Sequence, residues 1–295
     1  MNLVQTEKNE PGFDEQVFDE QIYLENLQII KQLCLMDDIF MSQCFDNDIE
    51  CAQLVLRIIL DKPDLQVIEA HSQVVVANLL NRSVRLDVLA VDSAGKRYNI
   101  EVQRSDKGAA PQRARFNSSL LDAKFTEKGT DFADLPETYV IFITENDVFG
   151  LAEPLYEIER CILKTGAIFG DGAHIIYVNG AYRDDTPIGR LMHDFACPEP
   201  DKMFYNELAD KTRFYKEEKE GNLNMSGILE EYLKKREKVG MEKGKEIGKE
   251  LGKNENQKEN ARRMLISGKL TLEEIAEYSG LSLEEVKKLQ SDKSA

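Results

Sequence analysis

The stretch RLDVLAVDSAGKRYNIEVQR, residues 85–104, constrains this chain more than any other. Two runs rich in β-formers flank Ser93-Ala94-Gly95, and a three-residue loop with Gly95 in the left-handed conformation closes them into a hairpin. That loop sets Asp92 opposite Lys96, and counting back sets Asp87 opposite Glu101. Alternation puts Leu86, Val88 and Ala90 on one face of the first strand and Asp87, Leu89 and Val91 on the other, while Glu101 and Gln103 share a face of the second. Directly opposed residues hold their Cβ atoms about 4.5–5.5 Å apart, where like charges repel. A divalent cation between Asp87 and Glu101 reverses the sign of that interaction. The alternative is a wet sheet face neutralised by Arg85, Arg97 or Arg104. Three features favour a site: Gln103 lies beside Glu101, the strands are too apolar to be freely solvated, and their flanks are basic.

The charge distribution sharpens this. The net charge of −16 argues against a protein that coats nucleic acid by bulk attraction. Residues 1–50 carry twelve acidic and two basic side chains, whereas residues 82–128 carry ten basic and six acidic ones. The five cysteines and three histidines show no CxxC pair and no zinc spacing, so buried thiols are expected and any metal should be hard and oxygen-liganded. No apolar run approaches the roughly 20 residues that span a bilayer, and the start, MNLVQTEKNEPG, lacks a signal pattern; no membrane contact and a cytoplasmic location are expected.

Along the 295 residues, 42% of them hydrophobic, there is room for one large core with appendages. Four parts are expected: an acidic N-terminal extension (1–32), a main domain (33–227), a charged linker (228–260) and a small helical tail (261–295). Within the main domain a helix capped by Asn47 or Asp48 presents Ile49, Leu54, Val55, Ile58 and Ile59, and a strand or strand pair covers about 66–80. After the hairpin, a helix over 111–125 starts at Pro111 with a stripe of Phe116, Leu120 and Ala123; TYVIFIT (138–144) reads as a strand buried on both faces. A further strand over 173–180 and helices over 187–195 and 203–217 follow. The order implies a mixed α/β sheet flanked by helices. The linker repeats Gly240, Gly244, Gly248 and Gly252 and reads as charged and partly helical. In the tail, TLEE and SLEE are capping boxes that start two short helices resembling a helix-turn-helix; a fold for protein contacts is at least as good a reading.

Asp87 on one strand and Glu101-Val102-Gln103 on the next resemble the PD-(D/E)XK nuclease superfamily. With QRARFNSSLLD and LPETYVIFITENDVFG, the stretch resembles its bacterial recombination-promoting nuclease, or transposase, branch. The resemblance spans roughly residues 35–220 and implies a restriction-endonuclease-like αβββαβ core. It implies Asp87, Glu101 and the Val102 carbonyl as ligands of Mg²⁺ or Mn²⁺, with Gln103 where many members have Lys. It also implies a further acidic residue from the first helix, Glu50 or else Asp38, and phosphate contacts from Gln112, Arg113 and Arg115. Two positions apart on a helix, Arg113 and Arg115 cannot both face inward. The implied activity is metal-dependent hydrolysis of DNA with little sequence preference, in recombination or mobile elements, with self-association through the C-terminal helices as an option. An inactive relative serving as a protein or nucleic-acid interaction module is the alternative, and strand transfer is suggested by the family label only.

Overall fold

The computed structural model describes residues 13–76, 84–104, 106–126 and 128–291. Helices α1 (Phe13–Gln32), α2 (Asp38–Phe45) and α3 (Ile49–Ile59) lead into strands β1 (Val67–Val76), β2 (Val84–Asp92) and β3 (Arg97–Gln103). A 3-10 turn, Asp106–Ala109, joins β3 to α4 (Pro111–Phe125). Then come β4 (Thr138–Thr144), β5 (Leu155–Ile158), a ribbon of β6 (Cys161–Ile162) and β7 (Ala167–Ile168), and β8 (Ala173–Asn179). Helices α5 (Pro187–Ala196), α6 (Asn206–Glu217), α7 (Lys219–Ser267), α8 (Leu272–Ser279) and α9 (Leu283–Ser291) follow. The chain divides into two compact units, residues 1–230 and 231–295.

The first unit is built on a six-stranded mixed sheet of order β1-β2-β3-β4-β8-β5. Its first three strands pair antiparallel, β3, β4 and β8 pair parallel, and β5 closes the edge antiparallel. All seven residues of β4 are buried, as a continuously apolar strand between two parallel neighbours requires. The hairpin has the register counted from its sequence. Gly95 takes φ of +80°, the Asp92 amide donates to the Lys96 carbonyl at 3.1 Å, and Val88 pairs with Ile100. Asp92 also fixes the turn through its side chain, accepting from the Ala94 and Lys96 amides at 2.9 Å.

Several expectations need correction. Asp48 caps α3 by accepting from the Cys51 amide, but the buried face is Cys51, Ala52, Val55, Leu56 and Ile59. Ile49 is 39% exposed, because α3 turns its small residues toward α5, α6 and β1, which pack on it. In α4 the buried residues are Ala114, Asn117, Ser118, Leu120 and Leu121, whereas Phe116 and Ala123 face out. The strand or pair placed over about 66–80 is the single strand β1 as far as Val76; residues 77–80 lie outside the described residues. Cys34, Cys44, Cys51 and Cys197 are buried, but Cys161 is exposed on β6. Among the described residues no helix is long and apolar enough to cross a membrane.

The second unit has its own small core. Ala261 near the end of α7 packs with Ile275, Leu281, Val286 and Leu289, flanked by Met264, Leu265 and Leu272. Both capping boxes form: Thr271 and Glu274 exchange hydrogen bonds at the start of α8, as do Ser282 and Glu285 at the start of α9. The segment read as a partly helical linker lies within the single helix α7, Lys219–Ser267.

Candidate active site

The site grows from the carboxyl end of β3. Alternation puts Arg97, Asn99, Glu101 and Gln103 on the face that α4 covers. The Gln103 carbonyl is taken by the Glu145 amide at 3.0 Å, on the β4 side. Val102, one residue back, therefore points its amide and carbonyl to the β2 side, since a strand residue directs both the same way. There the Val102 amide donates to Asp87 Oδ2 at 3.1 Å, and the Asp87 amide approaches Glu101 Oε1 at 3.4 Å. Asp87 is 7% exposed and Glu101 not at all, so the wet-face alternative does not describe this hairpin.

Arg113 completes the cluster. Pro111 fixes the first turn of α4, and Arg113 reaches back so that Nη2 donates to Glu101 Oε2 at 2.6 Å. Its Nη1 donates to Gln103 Oε1 at 3.2 Å and to the Gly108 carbonyl at 3.1 Å. Gly108 leaves room for the Gln103 carboxamide: a Cβ there would lie 1.9 Å from Gln103 Oε1, so the Gln103 side chain would have to move.

The two carboxyls are electrostatically uncomfortable. Burial pushes Asp87 up to about 6; nearby Asp38 adds to the rise, and the Val102 amide, Arg113 and Arg85 oppose it. Burial likewise pushes Glu101 up to about 7, helped by Asp87 and opposed by Arg113, Asn99 and the Asp87 amide. A carboxylate that shares an ion pair at 2.6 Å would ordinarily be depressed; here desolvation and the second acid outweigh the arginine. The pair therefore titrates as a unit near neutrality.

The structure brings together Asp87, Glu101, Val102, Gln103 and Arg113. It does not bring Glu50, which is exposed in the first turn of α3 and is absent from the groups that set the charge environment of Asp87 or Glu101. The acidic group that does reach Asp87 electrostatically is Asp38, at the start of α2, whose Oδ1 also accepts from the Ile39 amide. Gln112 and Arg115 are exposed on α4, while Arg113 is the inward one. Two clefts, of about 490 and 600 Å³, lie elsewhere, one beside Lys62 and Asp92 and one beside Arg57 and Pro187.

Among the described residues no group of three or more His, Cys, Asp or Glu is arranged to hold a metal ion. The donor set that exists, two opposed carboxylates with the Val102 carbonyl on their side, is all oxygen and fits a hard divalent cation that keeps several waters. Sequence reasoning missed Asn99 and Asn117, both fully buried, Asn99 two residues before Glu101 on β3 and Asn117 four after Arg113 on α4. No signal in the sequence singles them out, since a periodicity reading takes apolar residues as the inward ones.

Residues 56–180 match the family model described as PD-(D/E)XK nuclease family transposase. The matched stretch contains every member of the cluster, and the match supports a nuclease-type function linked to mobile elements. The mixed sheet with flanking helices and a helical C-terminal part agrees with the fold the resemblance implied. No curated protein and no solved structure matches the chain.

Proposed function

We propose that this protein, whose residues 56–180 match the family model of PD-(D/E)XK nuclease family transposases, is a divalent-metal-dependent endonuclease that hydrolyses DNA phosphodiester bonds with little sequence preference. The observation that carries the proposal is the buried, directly opposed pair Asp87 and Glu101, whose desolvation and mutual repulsion outweigh the groups that partner them. Asp87, Glu101 and the Val102 carbonyl would hold Mg²⁺ or Mn²⁺. Such an ion, when bound, supplies positive charge that polarises a phosphate and acidifies water.

The protein's own groups do the rest. Arg113 is a guanidinium with a planar fork, 36% exposed, suited to grip a phosphate in two places. Gln103 has a carboxamide on the same face and orients water by hydrogen bonding without adding charge. Arg85 and Arg115 are exposed and would meet the DNA backbone, which makes binding salt-dependent and nearly indifferent to sequence. Asp38 adds negative charge near Asp87 and so strengthens the attraction for a cation.

The test is nicking of supercoiled plasmid in Mg²⁺ or Mn²⁺. Wild type is expected to cut, and Asp87→Ala and Glu101→Ala are expected to fall to background while their circular dichroism stays native. Equal cutting by all three would remove the proposal. One observation favours a second reading, that of an inactive interaction module: Arg113 already neutralises Glu101 at 2.6 Å, and Gln103 supplies no charge. That reading expects no Mn²⁺ binding at millimolar concentration and a specific protein partner.

A further inference from the structure

Four polar side chains of β3 face α4, and three have an evident engagement. Glu101 and Gln103 accept from Arg113, and the Arg97 guanidinium lies 4.1 Å from the Phe125 ring centroid. Asn99 differs: it is fully buried, and neither its Nδ2 nor its Oδ1 has a hydrogen-bond partner. On α4, Asn117 is in the same condition.

The two amides share a level. Arg113 meets Glu101 at one end of α4 and Phe125 meets Arg97 at the other, so the helix runs back along the strand. Asn117 lies four residues after Arg113, about 6 Å along a helix axis. Asn99 lies two residues before Glu101, about 6.6 Å along a strand. Asn99 is paired with Leu89 on β2 and Val140 on β4, and Asn117 follows Arg113 by about one turn, so both amides are set behind Glu101 at positions where an apolar residue would leave no orphaned donors. Asn99 is also close enough to favour the ionised form of Glu101.

We propose that Asn99 and Asn117 are positioning residues that hold the Glu101 carboxylate for a divalent cation once Arg113 turns from Glu101 to a DNA phosphate. The proposal rests on the nuclease reading of the site. With Arg113 on Glu101, the Asn99 amide lies beside that carboxylate without a completed hydrogen bond, and the Asn117 amide is unpartnered. When the guanidinium leaves, Glu101 loses its strongest donor, and an Asn99 Nδ2 hydrogen is the nearest replacement. A primary amide has two such hydrogens, so the second is available to Asn117 Oδ1, which fixes the plane of Asn99. Asn99 and Asn117 touch neither substrate nor cation; they act through Glu101.

The experiment uses the full chain with Asn99→Leu and Asn117→Leu, each measured for thermal unfolding without metal and for Mn²⁺ affinity by electron paramagnetic resonance titration. Each variant is expected to unfold at or above the wild-type temperature and to bind Mn²⁺ about tenfold more weakly, the usual effect of removing a group that orients a ligand. Nicking is expected to lose kcat with KM for plasmid unchanged. Wild-type Mn²⁺ affinity in both variants would overturn the proposal, and so would a large fall in unfolding temperature accompanying the loss of affinity, which would make the amides structural. Where leucine prevents folding at 99, Asn99→Ala takes its place with the same expected affinity. If wild type itself binds no Mn²⁺, the nuclease reading fails and the proposal with it; if wild type binds and the variants match it, the proposal alone fails.

Discussion

At the scale of single residues, the fold holds two acids where water cannot reach them, and this has a measurable sign. Both Asp87 and Glu101 titrate higher in the folded chain than as free side chains. Through the window from about pH 4 to about pH 7 the native state therefore binds more protons than the unfolded one, so metal-free stability falls as pH rises. Asp87→Asn removes one charge and keeps an oxygen to accept from Val102. It is expected to stabilise the metal-free protein by about 3 kcal/mol at pH 8, by about half of that at pH 5 and hardly at all near pH 3, as read by urea unfolding. An equal effect at all these pH values would mean that ionisation is not the cause. The opposition of Asp87 and Glu101 was legible in the sequence because Gly95 leaves one register for the hairpin. The choice of Arg113 over Arg115 was half legible: the spacing says that one must face out, and only the packing of α4 on the sheet says which. Asn99 and Asn117 were not legible, because a periodicity reading takes apolar residues as the inward ones and so placed Phe116 inside.

At the scale of elements, boundaries were legible where caps and apolar runs are strong. Helix α4 and strand β4 occupy the residues expected of them, and β8 ends one residue earlier. Helix α2 was not assigned because six of its eight residues are buried, Ile39, Phe40, Met41, Ser42, Cys44 and Phe45, leaving no amphipathic period to detect. Strand β5 is four residues long and the β6 and β7 ribbon is shorter still, below what alternation can signal. The second unit shows the reverse case, a small fold written in its caps. Thr271 accepts from the Glu274 amide, and Gly280 ends α8 in the left-handed conformation. Thr271→Ala is expected to cost that unit about 1 kcal/mol, seen as faster amide hydrogen exchange across α8 with exchange in the sheet unchanged. Unchanged protection of α8 would show that the cap contributes nothing there.

At the scale of the whole molecule, a chain of net charge −16 must attract DNA locally or not at all. On the proposed function, that attraction lies around Arg85, Arg113 and Arg115, and the cation neutralises two buried acids that otherwise oppose folding and phosphate alike. The direct test is a crystal soaked in millimolar Mn²⁺ and measured for anomalous scattering. A peak is expected between Asp87 and Glu101 on the side of the Val102 carbonyl. A peak elsewhere, or none at this pair, would contradict the assignment of the site even if the protein cuts DNA.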